Sequence, residues 1–279
     1  MQLFAPAKIN LSLQICGRRP DGFHEIETLM APVSLHDTLT LDRVFDADGV
    51  QLKCDDPSVP AGEDNLVVRA AYAFFAAVRL RADVRIDLRK KIPNGAGLGG
   101  GSSDAAATLL GLNEIFGTGL PPDRLIQLAA EIGSDVPFFI LRSAAWSRGR
   151  GEAVTSARIG PAIPLLLLKP AFGVSTAWAY ARWQDSRTLP RVDYEQQSLD
   201  ARRFVNDLER PVFEKFVFLA RLKMWLREQP EVAIALLSGS GSTVFAVLRG
   251  DADAEKLAER ARAELDPLLW TWPCTTLAD

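Results

Sequence analysis

Pro93-Asn94-Gly95-Ala96-Gly97-Leu98-Gly99-Gly100-Gly101-Ser102-Ser103, running on through Asp104-Ala105-Ala106-Ala107-Thr108-Leu109-Leu110, decides how this chain is read. Five of the seven positions from Gly95 to Gly101 are glycine, and an alanine-rich helical pattern follows at once. Each glycine in ordered structure costs roughly 0.5–1 kcal/mol relative to alanine. Such a cluster is kept where backbone N–H groups must approach something closely. At a helix start that something is most often a phosphate, met by unpaired amides and the positive end of the helix dipole. A merely flexible loop would not switch so abruptly into a strong helix former.

The kind of phosphate loop follows by exclusion. A Walker loop ends in Gly-Lys-Ser/Thr, and here Ser102 follows Gly101 directly. Gly95, Gly97 and Gly100 satisfy GxGxxG, but the preceding strand Val84–Arg89 alternates apolar and polar residues. A first Rossmann strand is buried on both faces and reads as a continuous apolar run. No HRD or DFG follows, which removes the protein-kinase glycine loop. What remains is a loop-to-helix phosphate cradle of another kind.

Working outward, 279 residues predict two domains sharing a cleft. Net charge −3 argues against a broad nucleic-acid surface. Cys16, Cys54 and Cys274 form no CxxC and suggest no disulfide framework, so a reducing compartment is expected. Two histidines, His24 and His36, leave little for a histidine-rich metal site. The start carries Pro6 and Lys8 before any apolar run, and the longest apolar stretch, near Ile163–Leu168, is too short for a bilayer. The expectation is a cytoplasmic protein with no membrane and no nucleic-acid partner.

Residues 3–15 alternate as a strand, with Ile9, Leu11, Leu13 and Ile15 on one face and Lys8, Asn10, Ser12 and Gln14 on the other. Arg19-Pro20-Asp21-Gly22 is a turn, and strand character resumes at Leu35–Leu41. Glu63-Asp64-Asn65 caps a helix to about Leu80. Strand 83–91, the glycine loop and helix 102–116 follow, and then a helix opened by Pro121-Pro122 and closed by Gly133. Gly133-Ser134-Asp135-Val136-Pro137 reads as a tight polar turn. The second half predicts strand 165–168, one long amphipathic helix 211–228, strands 232–237 and 243–249, helix 252–265 and strand 268–272. That order is βαββαβ, ferredoxin-like, with Gln184–Ser198 as an inserted loop. The expected boundary divides 1–157 from 158–279.

Lys8 alone would be a lysine on a solvated strand face. A phosphate loop elsewhere creates demand for a cation near a transferred group. Asp135 alone would cap a helical turn, yet phosphoryl transfer to a hydroxyl asks for a carboxylate to take the proton. The second small-residue loop, Ser238-Gly239-Ser240-Gly241-Ser242-Thr243, is either a hairpin turn or a close approach of backbone to ligand.

Three separated segments, Pro6–Leu11, Pro93–Ser103 and Ser238–Phe245, together resemble the GHMP kinases, the galactokinase, homoserine kinase and mevalonate kinase family. The stretches 6–30, 63–71, 133–139 and 149–152 are similar to a branch acting on a cytidine-bearing alcohol. The resemblance implies an α+β two-domain GHMP kinase fold. Its first domain is like the second domain of a small-subunit ribosomal protein, its second is ferredoxin-like, and a cleft lies between. It implies an ATP-dependent small-molecule kinase whose substrates are ATP, as Mg-ATP, and a cytidine diphosphate sugar-alcohol, in a monomer or homodimer. The family's catalytic lysine and aspartate fall on Lys8 and Asp135. ATP falls on Asn65 for the adenine and on Pro93, Asn94, Gly95, Ala96, Gly97, Leu98, Gly99, Gly100, Gly101, Ser102 and Ser103, with Ser103 the candidate magnesium contact. The acceptor falls on Asn10, Phe23, His24, Gly239 and Ser240, with Tyr180 or its neighbour Trp178 as a second stacking ring. Two departures stand out: Phe23 replaces the family's usual tyrosine, and Asn94-Gly95 its usual small apolar pair. Rival readings are another kinase of this family acting on homoserine or mevalonate, and a non-catalytic nucleotide sensor.

Overall fold

The structure, a computed structural model, describes residues 1–44, 49–60 and 62–278. Its frame is a long antiparallel hairpin of β1 (Gln2–Arg18) and β2 (His24–Arg43). The register slips between Pro6 and Lys8 and again between Asn10 and Ser12. Such irregularities re-aim side chains and often border sites, and here they bracket the lysine–asparagine pair. β3 (Val50–Cys54) runs parallel to β4 (Val84–Arg89), which pairs with β2 beyond helix α1 (Leu66–Val78).

α2 (Gly100–Ile115), α3 (Pro122–Ile132) and α4 (Val136–Leu141) pack with α1 on one face of this sheet. α2 lies close because it is built of small residues: a side chain at Gly111 would collide with Leu3 and come within 2.9 Å of Leu41. α3 ends at Gly133 in extended backbone (φ −176°), not in the left-handed turn usual for a terminating glycine. β5 (Ala145–Gly149) pairs with β2 and with β6 (Ala153–Ser156).

The chain then builds a second sheet with β7 (Pro164–Lys169). After α5 (Thr176–Arg182) it returns to the first sheet as the hairpin β8 (Gln197–Leu199) and β9 (Arg202–Asn206), β9 lying parallel to β1 at Ser12 and Leu13. The stretch 184–198 expected as a loop therefore leads into a strand pair. Helix 211–228 is two helices, α6 (Glu209–Lys215) and α7 (Val217–Arg227), broken at Phe216. The break has a packing cause: the Phe216 ring stacks on Phe172 at 5.3 Å and meets Trp178 edge-on at 5.7 Å.

β10 (Val232–Leu237), β11 (Val244–Leu248), α8 (Ala254–Glu264) and β12 (Trp270–Thr275) complete the second sheet. Its order, β10-β11-β7-β12 and antiparallel throughout, is the ferredoxin-like arrangement. Ala7, Ile9 and Leu11 of β1 pack against Leu165, Leu167, Ile234 and Leu236 in a core shared by the two sheets. The polar face of β1 is buried too, with Lys8 only 3% and Asn10 only 2% exposed.

Candidate functional site

The glycine loop is pinned from both halves of the molecule. Leu98 C=O accepts from the Lys8 amide at 2.9 Å, and Ala96 C=O from the Thr243 amide at 3.1 Å. Ser238 Oγ donates to Gly97 C=O at 3.0 Å. At Gly97 (φ 75°) any side chain would strike the Ser238 carbonyl, so only glycine admits the second loop so close. Gly99 (φ 70°) occupies the cap position of α2, where a side chain would press on Phe139 and Lys8. The first amides of α2 lack helical acceptors and open onto a cleft of about 1030 Å³.

Pro93 through Ser102 all line that cleft, together with Lys8, Asn10, Asn65 and Asp135. Ser103 does not line it; its Oγ is buried without a hydrogen-bond partner. Asn65 is the N-cap of α1, accepting from the Val67 amide at 2.8 Å and donating to Pro60 C=O at 2.6 Å. Among the described residues no cluster of three or more His, Cys, Asp or Glu is arranged to hold a metal, and no helix is long and apolar enough to cross a membrane.

At the floor, Lys8 Nζ lies 3.9 Å from Asp135 Oδ2 and donates to Asn10 Oδ1 at 2.6 Å. Asn10 Nδ2 donates to Thr28 Oγ1 at 2.8 Å, which donates to Ser12 C=O at 2.6 Å, so the lysine sits on a fixed relay of β1 and β2 groups. Burial lowers the Lys8 pKa from its ordinary value, and the Asp135 charge opposes that shift. Asp135 itself stands at the N-terminus of α4 with its side chain 39% exposed, open to a ligand. Gly239 closes the other side: a side chain there would begin 3.1 Å from Lys8 Nζ. Ser240 Oγ meets Thr176 Oγ1 at 2.8 Å.

The far end of the same cleft holds Phe23, His24 and Tyr180. The His24 and Tyr180 rings are 5.4 Å apart and tilted, in contact with each other. Trp178 instead packs under Lys215 and against Phe216, away from the lining. Burial first, then Arg18, lowers the His24 pKa, leaving a neutral imidazole at neutral pH. Burial, reinforced by the Asp135 charge, raises the Tyr180 pKa, which ties this ring electrostatically to the floor.

Sequence reasoning passed over several lining residues. Lys90 bridges Asp37 and Asp104 beside the glycine loop, and Arg18 and Arg150 flank the aromatic end. Lys90 could have been suspected from its place at the strand end just before the loop, whereas the Asp37 and Asp104 partners come from distant segments.

Residues 65–143 match the family profile described as GHMP kinases N terminal domain. The 4-diphosphocytidyl-2-C-methyl-D-erythritol kinase of Methylacidiphilum infernorum (isolate V4) is 42% identical, over 96% of this chain and 93% of that protein. A crystal structure of a 4-(cytidine 5'-diphospho)-2C-methyl-D-erythritol kinase superposes with a TM-score of 0.80 at 34% identity, covering 100% of both chains. The Methanococcus jannaschii mevalonate kinase structure superposes at TM-score 0.69 with 13% identity over 99% of this chain and 98% of that one, a likeness of fold alone.

Proposed function

This chain belongs to the GHMP kinase family, alongside its 4-diphosphocytidyl-2-C-methyl-D-erythritol kinases, and we propose that it phosphorylates the 2-hydroxyl of that alcohol from ATP with Asp135 as base and Lys8 as the stabilising cation. The reaction gives the 2-phosphate and ADP, a step of the non-mevalonate route to isoprenoid precursors. The observation that carries the assignment of roles is the 3.9 Å approach of Lys8 to Asp135 in a cleft lined by the glycine loop.

Phosphoryl transfer needs little covalent help; it needs in-line positioning and neutralised charge. The free amides at the start of α2 and the helix dipole receive the triphosphate. Asp135 is open to the cleft, so an acceptor hydroxyl can reach it and give up its proton there. Lys8, aimed by Asn10, offers its remaining N–H donors to the moving phosphoryl group. When bound with the triphosphate, magnesium would supply charge neutralisation, and Ser102, the hydroxyl at the start of α2 that lines the cleft, would hold it, whereas Ser103 lies behind the lining. Phe23, His24 and Tyr180 suit a pyrimidine, which is held by stacking and edge hydrogen bonds worth roughly 1–3 kcal/mol per stacked base.

A substrate panel and three variants test this. ADP release is expected with 4-diphosphocytidyl-2-C-methyl-D-erythritol and not with homoserine or mevalonate, and Lys8→Ala and Asp135→Ala should each abolish it in a folded protein. Ordinary turnover by Asp135→Asn would exclude Asp135 as the base.

A further inference from the structure

We infer that Arg150 is an acceptor-binding residue that takes the diphosphate of the substrate, an assignment resting on the reading of the cleft given above. Arg150 lies in the turn between β5 and β6 and lines the cleft. Its guanidinium carbon stands 5.3 Å from the Phe23 ring centroid, at the aromatic end. The next residue touches the floor: a side chain at Gly151 would begin 3.8 Å from Asp135 Oδ1 and 3.5 Å from Ser134 Cβ. Arg150 and Gly151 together therefore span the interval between the base-holding rings and the carboxylate that meets the hydroxyl. In the proposed acceptor, that interval is the diphosphate.

Charge balance separates Arg150 from Arg19 and Arg148, while Arg18 shares the aromatic end of the cleft with it. Arg19 is matched by Glu25 at 2.7 Å and Asp21 at 3.2 Å, and Arg148 by Glu27 at 2.8 Å. The carboxylate near Arg150 is Glu152, 3.9 Å from Nε, and it is already accepting the Arg150 backbone amide at 2.8 Å. One guanidinium nitrogen donates to Ala130 C=O at 3.3 Å, which leaves most of the five-donor fork uncommitted. The lining carries Asp21, Asp64, Asp104, Asp135 and Asp185 against Lys8, Lys90, Arg18 and Arg150, so a dianionic bridge entering at the aromatic end meets the two arginines there. Arginine's planar fork suits two phosphate oxygens, and the ring beneath restrains it without neutralising it.

Calorimetric titration of cytidine diphosphate and of cytidine tests the assignment on wild type, Arg150→Gln, Arg150→Met and Arg148→Gln. The wild type should prefer the diphosphate. Arg150→Gln should weaken diphosphate binding about 10- to 100-fold while cytidine binding stays within about two-fold. Arg150→Met, which keeps the stem over Phe23, carries the same expectation should thermal melting show the glutamine variant misfolded. Arg148→Gln should bind both ligands as the wild type does. Unchanged diphosphate binding in the Arg150 variants overturns the inference. Equal weakening of both ligands also overturns it, by reducing Arg150 to a brace for Phe23. A wild type that neither binds cytidine diphosphate nor phosphorylates the proposed alcohol sinks the acceptor reading and this inference together, whereas normal turnover with an unaffected Arg150→Gln sinks this inference alone.

Discussion

His24 enters the cleft as a neutral imidazole because burial, then the Arg18 charge, favours the uncharged ring. A neutral ring offers one donor and one acceptor to a base edge, and protonation removes the acceptor. The acceptor KM should therefore stay flat from neutral to mildly alkaline pH and rise only in acid, below the ordinary histidine value of about 6.5. Steady-state kinetics with saturating ATP reads this directly, and His24→Ala should abolish the acid limb while leaving the KM for ATP unchanged. Lys8 carries the opposite limb. Its pKa is lowered by burial, so kcat should begin to fall on the alkaline side before the ordinary lysine value of 10.5 is reached. Gly239 sets how tightly that lysine is seated, since an added methyl would begin 3.1 Å from Nζ and 3.3 Å from Asn10 Oδ1 at a backbone φ of 55°. Gly239→Ala should cut kcat by about a hundred-fold through misplacement of the ammonium, with a smaller change in KM. The glycines stand out in the sequence because they break the local pattern, whereas Lys8 and Asp135 fit theirs and are singled out only by the demand a phosphate loop creates and by the family resemblance. The burial of Lys8 could not be read there, because the alternation of β1 shows which face is polar and says nothing of what covers it.

At the scale of elements, the glycine loop is held at its entry by a buried ionic group. Asp37 on β2 accepts from the Ile92 amide at 2.9 Å and also from the Lys91 amide. Lys90 joins Asp37 to Asp104, the fifth residue of α2, 2.7 Å from Asp104 Oδ2. One cation thus stands between two carboxylates, almost out of solvent. Lys90→Met should lower the unfolding free energy by about 3–5 kcal/mol, because it strands both acids in the interior; urea titration measures it. Asp104 is the less committed partner, and its Oδ1 has no hydrogen-bond partner. Burial pushes its carboxyl up to about 7, with Lys90 opposing and Asp37 reinforcing. An acid raised in this way keeps its proton in the fold where the unfolded chain has lost it, so stability falls as pH climbs from about 4 towards that value. Asp104→Asn should flatten the slope, and an unchanged slope would show that another group sets it. Neither partner of Lys90 was legible, since Asp37 lies on the far arm of a hairpin and Asp104 read as part of a helix start. The break at Phe216 escaped for a related reason: amphipathic periodicity runs through it, and the Phe172 and Trp178 rings that pack on Phe216 come from a distant segment.

Across the whole molecule, the site exists because two sheets present loops to one another. The order of the second sheet could be read from its strand and helix pattern, whereas the return of β9 to β1 could not: a parallel pairing leaves no turn signal and depends on a partner almost 200 residues away. That return places Asn206 at the junction. Its Nδ2 donates to Leu237 C=O and to Gly239 C=O, both at 2.8 Å, and its Oδ1 accepts from the Leu208 amide at 2.9 Å. Next to it, Asp207 is fastened to β1 through the Ile15 amide at 2.7 Å and through Leu13 C=O, which accepts from the Asp207 amide at 2.9 Å. The loop that crowds Lys8 and the strand that carries Lys8 are therefore tied to one short segment. Asn206→Ala would leave two buried carbonyls and an amide unpaired, each costing about 1–3 kcal/mol if water does not replace the side chain. The expected result is a lower melting temperature together with a fall in kcat that exceeds any change in either KM, because the loop loses its aim while both binding regions keep their walls. Asn206→Asp should be worse still, since it turns a carboxylate towards two carbonyl oxygens. A folded Asn206→Ala variant with wild-type kcat would mean that the loop holds its position through Ser238 and Thr243 alone.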